Sequence, residues 1–452
     1  MHAQRPTETL HVSDIDEALT RRQRRRTRRR RVTITIASVL TGALVLTGAG
    51  IALAYKNFND NISRSDFSLP LVDDVLDDSG EQNILIMGMD SRLDQNGDPL
   101  PAEVYDAIRA GDESDGGYNA NVLMLLHVPE DRSKAVGISI PRDDYVEIVG
   151  APLGVENSKI KEAYGLALQQ RMNDLYEEES ELSEDEIYQE ARAAGRQAQI
   201  ETVSHFLGDV RIDHFVEMTM GGFYHVAQAV QPLTVCLNEA TVDTYSGADF
   251  AAGVQEIDAE QAMSFVRQRR DTSEDGPFLT DLDRSRRQQA FMISLVDKIN
   301  TQSTFTSPKK ISALMDATTT HVALDTNFDV LKFVKMAREV SKTGVEFVTL
   351  PILEFDMIDG AYVNTVDQEE IQQIVAAIFA GTYFDGSYLA DASTDADDAD
   401  ATTTDETAED AGAPTPVDPP ASPAEQKTNE TGLPVYDSWD DPIRAGAIPC
   451  VN

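Results

Sequence analysis

Cysteine is nearly absent from this 452-residue chain, occurring only at Cys236 and Cys450, and no His/Cys spacing of the kind that holds zinc is present. That argues against a zinc hydrolase. A glycine-rich phosphate loop is also missing, which argues against a nucleotide-dependent kinase. Positive charge is scarce: 38 Lys and Arg stand against 78 Asp and Glu, a formal net charge of −40. Against that background, any local concentration of arginine requires a cause.

The first concentration is "RRQRRRTRRRR" at 21–31, followed at once by "VTITIASVLTGALVLTGAGIALAY" at 32–55, which carries no charge. As a helix this run would be about 36 Å long, enough to cross a bilayer core of about 30 Å. The arginines then obey the positive-inside rule, with residues 1–31 as a basic cytoplasmic tail, 32–55 as a transmembrane anchor and the bulk of the chain outside. Two other readings compete. "ALA" at 52–54 resembles a signal-peptide cleavage site, although the apolar run is longer than a usual h-region. An arginine arm taken alone could also meet nucleic acid; its position against the apolar run favours the membrane and no nucleic-acid partner. On the exported side disulfides persist, so Cys236 and Cys450 are a candidate bridge, with two separate thiols as the alternative.

Residues 56–80 read as a polar extracytoplasmic tether. Short apolar runs follow at 83–90, 121–128, 135–141, 214–220 and 345–353, each with the length and composition of a buried strand. Helical spacing fills 162–208, 284–300 and 330–342. Strands alternating with helices predict an α/β sandwich with a mostly buried sheet over 81–385, preceded by one transmembrane helix. Residues 386–434 are acidic and poor in large apolar side chains, an expected disordered linker. The last stretch, 435–452, recovers apolar residues and is expected to dock.

The second arginine concentration is "VRQRRDTSEDGPFLTDLDRSRRQQ" at 266–289, with six arginines. Arg is almost never buried unpaired, whereas its planar fork suits phosphate oxygens. Read as extended chain, "MSFVRQR" places Arg267 and Arg269 on one face. A helix then starts near Asp281 or Asp283, with Arg284 and Gln288 projecting together at i and i+4. Further polar clusters fall at the ends of the expected strands: Asp90, Ser91 and Arg92; Asn119 and Asn121; Arg142, Asp143 and Asp144. Any one Asp–Arg pair could be a surface ion pair of about 0–1 kcal/mol. The ordered set instead suggests phosphoryl transfer, which needs cations around phosphate oxygens and a carboxylate-held divalent metal.

"NILIMGMDSR", "NVLMLLHV", "GISIPRD", "SKIKEAY", "IDHFVEMTMGGF" and "SFVRQRR…DLDRSRRQQAF" stand in the order found in the LytR–CpsA–Psr family of cell-wall ligases, which the chain resembles over roughly residues 81–300. The resemblance implies an α/β/α sandwich with a central mixed β-sheet. It also implies transfer of a glycopolymer from polyprenyl pyrophosphate to a peptidoglycan sugar hydroxyl through a phosphodiester, with magnesium, or manganese in its place, at the pyrophosphate. It implies Asp90 as a metal ligand and Arg142, Arg267, Arg269, Arg284 and Gln288 as pyrophosphate ligands. Asp281 is the implied orienting or basic group, with Asp283 as the alternative; Lys159, Arg92, Asp143 and Arg287 are implied substrate contacts. One departure stands out. Where the family carries Arg–Ser–Asp or Asn–Ala–Asp, this chain has Asn119, Ala120 and Asn121, so the second implied metal ligand, Asn121, lacks charge. The alternative is therefore a non-catalytic lipid- or glycopolymer-binding paralogue, or an envelope-related transcriptional attenuator.

Overall fold

A computed structural model describes residues 55–69, 80–112, 116–301, 315, 319–384, 426–444 and 446–452. The basic tail at 1–31, nearly all of the apolar run at 32–55 and most of the acidic linker lie outside them. None of the described helices is long and apolar enough to cross a membrane. The chain divides into two units, Met1–Asp60 and Asn61–Asn452. Of the first, residues 55–60 are described and are helical.

The second unit is built on a seven-stranded sheet. Its strands are β1 (Ser63–Ser65), β2 (Gln82–Met89), β3 (Ala120–Val128), β4 (Ala135–Ile140), β5 (His214–Met218), β6 (Val322–Asp325) and β7 (Val345–Thr349), in the order β1-β6-β5-β2-β3-β4-β7. The pairs β1/β6, β5/β2 and β4/β7 are parallel and the other three antiparallel, so the sheet is mixed. The five expected strands are all here. The two others were not expected: β1 lies in the stretch read as a polar tether, and "VALD" of β6 is too short to announce itself. Each is held by pairing to a neighbour rather than by its own composition.

Eight helices are used below: α1 (Ala102–Ile108), α2 (Ala163–Glu177), α3 (Glu184–Phe206), α4 (Met220–Val230), α5 (Ala259–Arg267), α6 (Asp281–Thr301), α7 (Val330–Thr343) and α8 (Gln368–Phe379). The segment read as one helical stretch at 162–208 is two, because Ser183 and Glu186 close a capping box that starts α3. Leu85, Met87, Leu123, Leu125, Ile138 and Phe215 point to one face of the sheet and pack with α2, α3 and α8 through Tyr164, Val203, Phe206 and Ile374. The period-two alternation sends Ser139 and Thr349 to the other face, where Gln289 of α6 donates to both hydroxyls at 2.9 Å. Helices thus cover both faces. Gly137 of β4 is required here, since a Cβ would lie 2.5 Å from the Phe347 ring of β7.

A smaller three-stranded sheet joins Gly253–Ile257, Leu233–Leu237 and Cys450–Val451. Cys236 and Cys450 are disulfide-bonded within it. The terminal segment also exchanges hydrogen bonds between Ile443 and Phe347 of the edge strand β7. Residues 426–434, which lie before the 435 boundary expected for docking, are among the described residues, with Thr428 and Pro434 forming a bridge.

Candidate active site

The antiparallel pairings bring three chain segments together at one edge of the sheet. β2 ends at Met89 and β4 at Ile140; β3, running the other way, begins at Ala120 beside them. Asp90, Asn119–Asn121 and Pro141–Asp144 therefore meet at that edge, where α/β folds place ligands.

Asp90 is bound into this edge by amides. Its Oδ1 accepts the Asn119 N–H at 2.9 Å and its Oδ2 accepts Asn121 Nδ2 at 3.0 Å. Burial pushes its carboxyl up from the usual range, against the opposing pull of Asn119, Arg92 and Lys161. Because Asn121 aims its NH2 at Asp90, its Oδ1 faces elsewhere; that oxygen is buried and has no hydrogen-bond donor among the described residues. A buried acceptor without a donor is costly unless something positive reaches it.

Asp281, the first residue of α6, holds two guanidinium groups apart. Its Oδ1 accepts Arg142 Nη2 at 2.8 Å and its Oδ2 accepts Arg284 Nη2 at 2.9 Å. Arg284 also donates to the Asn121 carbonyl at 3.1 Å, which ties α6 to the start of β3. Among the described residues, the Nε groups of Arg142 and Arg284 are buried without a hydrogen-bond acceptor. Burial lowers Arg284 to about 10, with Asp281 opposing and Arg142 adding to the shift, so it stays charged at neutral pH. Arg269 stands exposed at the mouth; burial and then Arg142 lower its pKa, and Asp281 opposes them. Below them Asp143 gathers Lys161 at 2.6 Å, Lys159 at 3.5 Å and Arg142 Nε at 3.5 Å. Burial raises the Asp143 carboxyl, but these three cations outweigh it and hold it low. Five cations around Asp143 and Asp281 leave an excess of positive charge in a partly desolvated cleft.

Some expected residues do other work. "MSFVRQR" is not extended: Asp258 and Gln261 form a capping box, and Ala262, Met263, Phe265 and Val266 bury the inner face of α5. Local capping and helical apolar spacing override the alternation assumed from the arginines alone. Arg267 consequently sits at the C-terminal turn of α5 and donates to the Ile108 carbonyl, while Arg92 donates to the Ala110 carbonyl. These two hold the end of α1, apart from the Asp281 cluster. Gln288 donates to the Val266 carbonyl at 3.2 Å and fastens α6 to α5. Asp283 accepts the Thr280 N–H and hydroxyl at 2.7 and 2.9 Å, capping α6. Arg287 faces away from the cleft altogether. It is fully buried, donating to Asn452 O, Gln268 Oε1 and Thr241 Oγ1. As a substrate contact it is corrected to a residue that binds the chain terminus, since i and i+3 neighbours of Arg284 share its face only approximately and here the helix is covered on both sides.

Two features escaped the sequence reading, Lys161 and a buried triad on Glu217. Lys161 contributes the closer cation to Asp143, and its spacing of two from Lys159 was an available signal. Asp144, named with the cluster after β4, is fully buried with Oδ1 bonded to Asn364 Nδ2 at 2.9 Å. Burial pushes its carboxyl well above the usual range, against the opposing hydrogen bond from Asn364. Beneath the cleft, Glu217 of β5 takes both Arg192 and Arg196 of α3, all three inaccessible to solvent or nearly so. Burial favours a neutral Glu217, but the two guanidiniums dominate and bring its carboxyl down to about 2. No local pattern announces a buried triad split between a helix and a strand.

The α/β/α sandwich brings two guanidiniums and two lysines together with Asp143 and Asp281 at one edge of its sheet, an arrangement suited to anions. The chain belongs to the LytR_cpsA_psr family, whose profile matches residues 45–379. It is 36% identical over 297 residues to the cell wall biosynthesis protein LcpA of Corynebacterium glutamicum, a match that takes in 66% of this chain and 55% of LcpA. The chain thus spans little more than half the length of that relative. It is 22% identical over 374 residues to the polyisoprenyl-teichoic acid–peptidoglycan teichoic acid transferase TagT of Bacillus subtilis, covering 80% of this chain and 97% of TagT. The crystal structure of B. subtilis TagV aligns with a TM-score of 0.45 at 17% identity, over 67% of this chain and 99% of TagV.

Proposed function

We propose that this protein is a membrane-anchored extracytoplasmic phosphotransferase that moves a glycopolymer from polyprenyl pyrophosphate to a peptidoglycan hydroxyl through a phosphodiester. The observation that carries the reading is Asp281 holding Arg142 and Arg284 beside Asp90, with Arg269 at the mouth. A diphosphate presents more acceptor oxygens than Asp281 does, and the two forks can exchange the carboxylate for them. Asp281, relieved of its partners, then accepts the proton of the acceptor hydroxyl. The hydroxyl oxygen bonds to the phosphorus that bears the glycopolymer, the bridging P–O bond breaks, and polyprenyl phosphate leaves. Arg142, Arg269 and Arg284 stabilise the charge that builds on the phosphoryl oxygens.

The residues suit a magnesium ion carried in by the diphosphate, with manganese as the substitute. Asp90 supplies a carboxylate whose burial disfavours its charge, and the orphaned Oδ1 of Asn121 is an acceptor in want of a cation. Mg2+ commonly takes only one or two protein oxygens and completes its shell with phosphates and water. When bound it would neutralise charge on the diphosphate. Residues 1–31 are cytoplasmic in this reading, 32–55 span the membrane, and the folded unit lies outside.

The test is direct. The full-length chain in detergent is incubated with a short glycan on polyprenyl pyrophosphate, magnesium and peptidoglycan oligomers, and the phosphodiester product is sought by mass spectrometry. Product from the parent, lost in both Asp90→Ala and Arg142→Ala, is the expected result. The uncharged Asn121 favours a second reading, a binding paralogue. No product, with Arg142-dependent retention of the lipid, would decide for it.

A further inference from the structure

The hairpin Glu354–Ile358 and Ala361–Thr365 leaves the sheet just after β7, at the same edge as the arginine cleft. Its base is fastened to the site: Asn364 N–H donates to the Asp143 carbonyl at 2.9 Å and its side chain to Asp144. Its register places Met357 opposite Tyr362 and Phe355 opposite Asn364. Directly opposed residues share a face, as do i and i+2, so Leu353, Phe355, Met357 and Tyr362 all lie on one side. They are 53%, 59%, 51% and 74% exposed. Glu354 and Asp356 alternate onto the other side. Isolated exposed apolar residues are ordinary, but four large ones on one face of a 13-residue segment mark a surface that something covers.

The course of the chain indicates what covers it. β1 enters the sheet from the cleft edge, since Ser63 is level with Ala323, Glu217 and Met87 across the strands. The uncharged run ends at Tyr55, so Ser63 lies at most about 27 Å beyond it even if every intervening residue were extended. β1 and β7 are the two edge strands of the sheet, six strand spacings or about 29 Å apart. The cleft lies between them. In the anchored reading, the tether enters at one end of this edge and the apolar hairpin leaves at the other, so one bilayer surface is within reach of both.

We propose that the Leu353/Phe355/Met357/Tyr362 face of the hairpin seats in the surface of the lipid bilayer, holding the arginine cleft at the level of a lipid-borne diphosphate. The inference rests on the anchored reading above. Charge supplies no alternative attraction, because the chain is strongly acidic and the hairpin carries only acids. The apolar face therefore makes the contact, with Tyr362 at the headgroup boundary where amphipathic aromatics settle.

The test uses the full-length chain in phosphatidylcholine vesicles. Both native cysteines are bonded, so a single introduced thiol can be labelled with an environment-sensitive fluorophore. Met357→Cys reports on the hairpin, and Leu331→Cys, 57% exposed in α7 at the opposite end of the sheet, is the control. The expected result is blue-shifted emission at Met357→Cys, quenched by brominated lipid and abolished by Phe355→Ser with Tyr362→Ser, while Leu331→Cys emits as in water. Water-like emission at both sites in chain that floats with the vesicles overturns the proposal but keeps the anchor. A blue shift that grows with protein concentration and ignores brominated lipid assigns the face to a second copy and also overturns it. Failure to float removes the anchored reading, and this inference falls with it.

Discussion

Replacing Asn121 with Asp restores the charge that the family pattern carries at this position, and the geometry allows the cost to be worked out. Asn121 Nδ2 lies 3.0 Å from Asp90 Oδ2. In the variant an N–H donor becomes a second carboxylate oxygen, and the lost charge-assisted hydrogen bond is worth roughly 2 kcal/mol. Two unit charges at that separation repel by about 5 kcal/mol at an effective dielectric of 20, an upper bound because one carboxyl escapes by protonation. Arg284, bonded to the Asn121 carbonyl, offsets part of the remainder. The net expectation is a destabilisation of about 3 kcal/mol at pH 7 without divalent cation, using the same two terms. Saturating Mg2+ should recover most of it, because two adjacent carboxylates bind the ion better than one carboxylate and an amide. Thermal unfolding of parent and variant, with EDTA and with a magnesium titration, measures both effects. The reasoning fails if the variant is as stable as the parent in EDTA, or if magnesium raises both melting temperatures equally.

Arg142→Ala should weaken retention of a polyprenyl diphosphate by about 2–3 kcal/mol, or roughly 100-fold, as expected for one charge-assisted fork; equilibrium binding with the lipid in detergent measures it, and an unchanged affinity removes Arg142 from the ligand shell. Glu217→Gln leaves Arg192 and Arg196 buried without a carboxylate and should cost about 3–5 kcal/mol. Urea unfolding would register this as a lower midpoint, and a midpoint matching the parent's would mean that the triad carries no such charge. His127 is buried and stacked on Phe379, with burial lowering its pKa to about 4 from 6.5. Its neutral form is the folded one, so the stability it contributes is complete above pH 6.5 and declines as pH falls toward 4. Linkage puts the loss at about 2 kcal/mol at pH 5. A His127→Gln variant should show a shallower decline in urea stability between pH 6.5 and 5, and parallel profiles would contradict the assignment.

Much of the frame was legible because its signals are local. Strands β2, β3, β4, β5 and β7 are short apolar runs bounded by turn or polar residues, a pattern produced by burial on both faces of a covered sheet. Asp90, Asn121 and Arg142 were identifiable because each stands at the end of such a run, and Asp281 because it stands at a helix start. β1 and β6 were not, since three or four residues of mixed character become strands only when a neighbour completes their hydrogen bonds. The extended reading of Arg267 and Arg269 failed for a related reason. It followed the charged residues, whereas the capping box at Asp258 and the buried Met263 and Phe265 determine the conformation of that segment.

What the chain determines by itself is therefore its inventory: buried strands, amphipathic helices, an uncharged run long enough for a bilayer, and arginines set where strands end. Which arginine does what was decided only in three dimensions. Arg284, Arg286 and Arg287 are neighbours on one helix, yet Arg284 pairs with Asp281 in the cleft, Arg286 bonds the Ser438 carbonyl and Arg287 bonds Asn452. Successive helical residues are turned about 100° from one another, so adjacent positions meet different partners. Those partners lie 3, 152 and 165 residues away in sequence, and no local pattern can specify a contact whose other half is supplied by folding.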